Sequence, residues 1–305
     1  MELRHLRYFV AVAEEGSLTL AAERRLHTAQ PSLSRQIRDL ETEVGVQLLT
    51  RSARGIELTE AGRIFLDHAR MALLQVEAAG EAARRAVHPT KASFVLGFLT
   101  GHEMDWLPES LNILRDALPN IDITLASQSS PELAALLLRG KVDVAFLRRE
   151  AQAPGLAFKL LTKEPLIVVL PAAHRLAARD AIHPRDFEGE IFISVPAATS
   201  PILRATIDAC LARAAILLTP AHEVDTLSMA TSLVATTGGI ALLPLYARHA
   251  LPASVVGRRL VDEIPTIDLV LGYNKANTSP LLKAFLAKAD DLAARVAQKS
   301  ALYAL

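Results

Sequence analysis

The 305-residue sequence sets 33 Lys plus Arg against 33 Asp plus Glu, so bulk charge selects no partner and any nucleic-acid contact must come from local placement of basic residues. With 51% hydrophobic residues and only 14 Gly and 16 Pro, it excludes a disordered, collagen-like or linker-dominated chain and suggests about two domains. The single cysteine, Cys210, excludes a disulfide framework and a multi-cysteine metal site and fits a reducing, cytoplasmic compartment. The early apolar run is cut by Glu14 and Glu15 with no cleavage-like site. The uncharged stretch 226–247 is broken by hydroxyl side chains, Gly238-Gly239 and Pro244 into helix, turn and strand, so no membrane span is expected.

In chain order, Leu3, Leu6, Phe9, Val10 and Ala13 follow helical spacing and predict a first helix ending near Gly16. Ser17 is placed to cap a second short helix, in which Ala21-Ala22 allows a close neighbour. Thr28 is placed to cap a third, with Pro31 in its first turn, where no helical N–H is lost. Leu33, Ile37, Leu40 and Val44 form its inward seam. The other face carries Gln30, Pro31, Ser34, Arg35 and Arg38, and no acid interrupts the stretch from Arg24 and Arg25 to Arg38. Short polar groups at the start of an exposed helix suit a major groove, and arginine can grip guanine or phosphate in a fork. An ordinary solvated face is the alternative until the following segment is read.

That segment holds two short strands, 48–51 and 56–58, around the turn Ser52-Ala53-Arg54-Gly55, a wing that would present Arg51 and Arg54. Thr59 then caps a helix of about 28 residues, roughly 40 Å, with Ala61, Phe65, Ala69, Ala72, Val76, Ala79 and Ala83 in one stripe up to His88-Pro89. Such a rod calls for a second copy of itself.

The run Leu3-Arg4-His5-Leu6-Arg7-Tyr8-Phe9, residues 17–22, Gln30-Pro31-Ser32-Leu33-Ser34-Arg35-Gln36-Ile37, Leu40-Glu41, Gly45, Leu48-Leu49, Arg51 and Leu58-Thr59-Glu60-Ala61-Gly62 resembles the N-terminal domain of LysR-type transcriptional regulators. The resemblance is dense over about sixty-five residues and looser beyond. It implies an N-terminal winged helix-turn-helix at 1–59 and a linker helix at 60–89. It further implies an α/β effector domain of two Rossmann-like subdomains, similar to periplasmic binding proteins, at 90–161 plus 267–305 and at 162–266. The implied partners are double-stranded promoter DNA, a small-molecule inducer, and further copies of the chain in a homodimer or homotetramer, with no cofactor. The expected DNA-contacting set is Thr28, Gln30, Pro31, Ser32, Ser34, Arg35, Arg38, Arg51 and Arg54. Two departures stand out: Leu20 replaces a usual basic residue, and Glu23-Arg24-Arg25-Leu26 is one residue longer than the common spacing. The turn at Leu26-His27 is expected to absorb the extra residue.

The remaining residues alternate strand-like runs (94–98, 121–125, 142–146, 166–170, 191–195, 240–243, 269–271) with helical stretches (106–117, 132–139, 202–215, 228–237, 281–296), which argues for open, mainly parallel sheets. By resemblance the chain crosses between subdomains near Thr162 and Thr266. Ligands in such sheets lie beyond the strand carboxyl ends, where helix N-termini converge. The polar junctions there are Thr100-Gly101-His102, Ser127 with Ser129 and Ser130, Thr199-Ser200-Pro201, and Thr226, with Arg148 just after Phe146. Helix capping explains single members of this set equally well; together they form the expected effector cleft for a small or aromatic carboxylate. His222 is read as a core residue and Cys210 as a small buried hydrophobe. No HExxH, GxSxG, Walker or GxGxxG pattern is present. The rival readings are an α/β solute-binding protein, which would need an export signal, and an enzyme, which would need convergent nucleophile, acid or base groups.

Overall fold

The first apolar segment forms α1 (Leu3–Glu15), which buries Leu6, Phe9, Ala11 and Val12. Leu3 stays exposed, and Val10 and Ala13 sit at the edge of the seam, which is narrower than the sequence spacing predicts. The computed structural model describes residues 1–52, 55–87, 92–117, 121–149, 153–261 and 264–302. It divides into two compact units, Met1–Ala86 and Val87–Leu305.

In the first unit, left-handed Gly16 (φ 60°) closes α1, and the Ser17 hydroxyl accepts the Leu20 N–H at 3.3 Å, as predicted for a cap. The short α2 (Leu18–Leu20) runs directly into a π-turn, Ala21–Leu26, in which the His27 N–H reaches back five residues to the Ala22 carbonyl. A π-turn holds one residue more than an α-turn. The turn thus lies upstream of Leu26-His27, with room for one residue more than an α-turn, and His27 closes it in a left-handed conformation (φ 48°). The predicted Thr28 cap does not form. The Thr28 N–H is drawn back to the Ala22 carbonyl at 3.1 Å, and Ala29 takes the cap position of α3 (Gln30–Val44) without a side-chain bond.

Leu33, Ile37 and Leu40 of α3 pack on Ala21, Ala22 and α1 in one core. Strands β1 (Leu49–Ser52) and β2 (Gly55–Leu58) pair antiparallel, Leu49 opposite Leu58 and Ser52 opposite Gly55. The Glu41 carboxylate accepts the N–H groups of Leu48 (2.8 Å) and Leu49 (3.0 Å), anchoring the wing to α3. Thr59 caps α4 (Glu60–Val87) through the Gly62 N–H, 2.9 Å. Glycine is required at 62, where a Cβ would lie 2.0 Å from the Leu48 carbonyl oxygen. Phe65 meets Phe9 edge-on at 5.1 Å, which docks the start of α4 on the same core.

The second unit builds on β3 (Ala92–Leu99), α5 (Glu103–Ala117), β4 (Ile121–Gln128), α6 (Ser130–Leu138), β5 (Val144–Leu147) and β6 (Leu156–Pro171). It continues through β7 (Ala181–Ile182), β8 (Phe192–Ser194), α7 (Pro201–Arg213), β9 (His222–Glu223), α8 (Leu227–Thr237) and β10 (Ile240–Pro244). It closes with β11 (Val255–Leu260), β12 (Thr266–Asn274), α9 (Pro280–Ala287) and α10 (Ala289–Leu302), so the helix predicted over 281–296 is two helices, parted at Lys288. The strand order is β4-β3-β5-β12-β6-β10-β8-β9, with β11 lying against β6 and β7.

Pairs β3–β4, β3–β5, β8–β10 and β8–β9 are parallel, as the βαβ rhythm predicts. The central pairs β5–β12, β12–β6 and β6–β10 are antiparallel, which the expectation of mainly parallel sheets did not include. The reason is the double crossing: an outgoing and a returning strand lie side by side in opposite directions. Strand β6 pairs with β12 from Leu156 to Pro165, then with β10 from Leu166 onward, so the first crossing is a continuous strand. Two lobes result, each with its own core: one around Phe94, Phe98, Phe146 and Leu271, the other around Leu170, Phe192, Ile207 and Leu242. The uncharged stretch 226–247 resolves into α8, a left-handed turn at Gly238, and β10, as predicted. Among the described residues no helix is long and apolar enough to cross a membrane.

Candidate functional site

The seam of α3 sets what faces outward. At about 100° per residue, Pro31, Arg35 and Arg38 fall opposite Leu33, Ile37 and Leu40, and all three are exposed, as is Ser32. The Arg35 side chain is 80% exposed, and its ion-pair distance to Asp39 is 4.0 Å. Arg38 donates from Nε to the Ser34 carbonyl at 3.3 Å, which leaves the rest of its fork outward. Gln30 and Thr28 are half-buried beside this face.

Ser34 contradicts the sequence expectation. It is only 8% exposed, because the helical angle puts it on the flank shared with Glu41, the residue that anchors the wing. Arg25 is also engaged: with Arg70 of α4 it grips the Glu14 carboxylate. Burial alone would raise the Glu14 carboxyl, but the two arginines outweigh it and hold it below its usual range. Arg24 remains exposed. Arg51 lies on β1, and Arg54 lies outside the described residues.

In the second unit a cavity of about 350 Å³ opens between the two lobes, at the carboxyl ends of the parallel strands and the N-termini of α6, α7 and α8. It brings together eight predicted residues: Thr100, Ser129, Ser130, Arg148, Thr199, Ser200, Pro201 and Thr226. Ser129 and Thr226 cap α6 and α8 as well, through Glu132 N–H and Met229 N–H. Apolar walls come from Leu99, Val195, Ile202, Leu203, Leu227, Ala230 and Leu243.

Four predicted residues are not in the lining. Phe146 is fully buried and stacked on Phe98 at 4.8 Å and 5°, because β5 is covered on both faces. Ser127 alternates outward on β4 and donates to the Thr100 hydroxyl at 3.3 Å. Gly101 turns under the Tyr246 ring; with φ 96° and a would-be Cβ 2.9 Å from that ring, only glycine fits. His102 sits beneath the cavity, fully buried, with its ring 3.9 Å from Tyr246.

His102 belongs instead to a buried triad. Arg148 donates from Nη2 to Glu164 Oε2 at 2.6 Å, and His102 Nε2 lies 3.2 Å from the same oxygen. Burial pushes the His102 imidazole below its usual range, against the pull of the Glu164 carboxylate. Burial on its own would raise the Glu164 carboxyl, but His102 and the Arg148 guanidinium outweigh it and bring it down to about 2. Arg148 Nη1 and Thr199 Oγ1 are buried with no hydrogen-bond partner. Buried polar atoms of native folds are nearly always paired, so these two, both on residues of the lining, are open valences of the site, whereas the equally unpartnered His102 Nδ1 and Ser194 Oγ lie outside it. Sequence reasoning missed Glu164 of the triad and Tyr246 of the lining. Tyr246 follows a strand in a short 3-10 turn with no pattern to single it out, and burial raises its hydroxyl to about 12. His222, expected in the core, is exposed on the edge strand β9, while Cys210 is buried as expected.

A winged helix-turn-helix together with a two-lobed α/β unit carrying a ligand-sized cleft defines a DNA-binding regulator with an effector domain. Residues 3–63 match the family of bacterial regulatory helix-turn-helix proteins, lysR family, and residues 89–293 match the LysR substrate binding domain. The chain belongs to the LysR family of transcriptional regulators. It is 37% identical to the Hca operon transcriptional activator HcaR of Escherichia coli (strain K12), over 94% of this chain and 96% of that one. It is 35% identical to the regulator BenM of Acinetobacter baylyi, over 80% of each. Among solved structures, full-length BenM aligns over 97% of both chains with a TM-score of 0.60 and 29% identity. Full-length CbnR complexed with its target DNA aligns over 96% of this chain and all of that one, with a TM-score of 0.57 and 26% identity.

Proposed function

We propose that this regulator acts in the cytoplasm without catalytic turnover, reading promoter DNA with α3 and its wing and answering a small organic or aromatic acid held between the lobes. The observation that carries the reading is the division of α3 into a buried Leu33–Ile37–Leu40 seam and an outward Pro31–Arg35–Arg38 edge. Arg35, Arg38, Pro31, Ser32 and Gln30 meet base edges or phosphates, with Arg51 and Arg54 of the wing on the backbone. Ser34 is left out of that set. The α4 rod keeps Ile64 (59%) and Val76 (39%) exposed, which suits pairing with a second copy in a homodimer or homotetramer. The assigned domain limits are 1–59, 60–89, 90–161 plus 267–305, and 162–266.

The test is operator binding by the full-length protein with and without organic acids. Ser200→Ala and Arg148→Ala shift the effector response and leave operator affinity intact; an unchanged response in both removes the cleft from the account. A turnover assay on any acid that binds checks the absence of catalysis.

A further inference from the structure

The cleft carries more information than its place in the fold. Its buried cation is already engaged, since the Arg148 Nη2 hydrogen bond goes to Glu164. What remains on Arg148 is a single open valence, Nη1, on a side chain 5% exposed. The second lobe supplies the matching group, the unpartnered Thr199 hydroxyl at the entry to α7. Besides Thr100, Gln128 and Tyr246, the other neutral polar groups of the lining are hydroxyls at the N-termini of α6, α7 and α8, ends whose free N–H groups and dipoles favour negative charge. Two carboxylates, Glu132 and Asp225, also line the cavity, and the apolar part of its wall is mainly aliphatic.

Charge accounting follows. Arg148 and Glu164 cancel, and Glu132 and Asp225 make the lining negative before any ligand enters; one ligand carboxylate is therefore held locally, by the Arg148 fork and the three helix ends. A second ligand carboxylate finds no free cation and meets Glu132 or Asp225, and like charges at short range in a partly desolvated site repel strongly.

We infer that the effector is a monocarboxylate with an apolar body, its carboxylate bridging Arg148 of one lobe and Thr199 of the other, and that the cleft discriminates against dicarboxylates of the same skeleton. This rests on the cleft being the effector site. It also supplies a reason for closure: Arg148 Nη1 and Thr199 Oγ1 belong to different lobes, and a single carboxylate satisfies both only when the lobes are together.

Calorimetric titration of the full-length protein with matched triples tests this: benzoate, terephthalate and benzamide; hexanoate, adipate and hexanamide. The expected result is that a monocarboxylate binds at least about tenfold tighter than its dicarboxylate and amide partners. Thr199→Val then weakens that binding, Thr199→Ser restores it, and the melting temperature without ligand stays unchanged. A dicarboxylate that binds as tightly as its monocarboxylate, or affinity indifferent to Thr199→Val, overturns the inference while leaving the cleft as the effector site. Absence of binding by every compound overturns the effector reading and the inference with it.

Discussion

Arg148 Nη2 lies 2.6 Å from Glu164 Oε2, and both side chains are almost wholly removed from solvent. The two residues come from different strands, Arg148 just beyond β5 and Glu164 at the point where β6 leaves one lobe for the other. A buried ion pair is weak support for stability in itself, since desolvation offsets most of the attraction, but breaking one side of it is costly. Placed at the crossing strand and completed by His102, the pair fixes the guanidinium that faces the cleft.

The pH dependence of stability follows from this triad. The Glu164 carboxyl falls from 4.5 to about 2 in the folded protein. A depressed carboxyl contributes stability that is present above the unfolded value, 4.5, and is lost as pH falls toward 2; the shift corresponds to on the order of 3 kcal/mol. His102 acts in the same direction from higher pH. Its folded value lies below 6.5, so the unfolded chain takes up a proton first and stability declines as pH drops below 6.5. Urea denaturation between pH 7 and pH 3 is expected to show a shallower acid loss in Glu164→Gln than in the parent. Parallel curves contradict the triad.

Phe146 is a core residue and does not line the cavity. It stacks on Phe98 and meets Trp106 at 5.4 Å. Truncation to alanine is expected to cost about 3–5 kcal/mol, read from the denaturation midpoint of the full chain. A loss under about 1 kcal/mol argues for a surface role.

Two neighbours on α3 separate the docking edge from its flank. Arg35→Ala is expected to lower the log–log salt slope of DNA binding by about 0.9 if it meets phosphate, or to relax one base position at about 1–3 kcal/mol. Ser34→Ala leaves both slope and base preference unchanged. Fluorescence anisotropy across a salt series reads both variants, and the reverse pattern contradicts the placement of α3.

The π-turn makes a structural prediction. If it absorbs the extra residue, deleting Arg24 converts it to an ordinary α-turn and keeps Leu33, Ile37 and Leu40 in the core. The chain then still folds, losing the Arg25–Glu14 pair at a cost of about 1 kcal/mol or less. A deletion variant without a cooperative melt contradicts this.

The residues themselves show why some of this was legible in the sequence and some was not. Helices with a strong apolar seam, such as α3 and α4, and parallel strands buried on both faces announce themselves through 3.6-residue spacing or unbroken apolar runs. The first half of β6, with Lys159, Thr162, Lys163 and Glu164, carries no such run, because its identity as a strand comes from pairing with distant β12. The polar helix entries of the cleft were legible as caps and junctions. Tyr246 and Glu164 were not, since their role depends on which lobes face each other. Phe146 and Ser34 mark the limit of position along an element: adjacent residues point to different surroundings, and a neighbour of a site residue is not thereby a site residue.

The central claim is that the outward edge of α3 reads DNA sequence. In vitro selection of random duplexes by the full-length protein tests it most directly. The account predicts enrichment of one motif, its preference degraded by Arg35→Ala and untouched by Ser34→Ala. Binding to all duplexes alike, or a selected motif indifferent to Arg35→Ala, would contradict it.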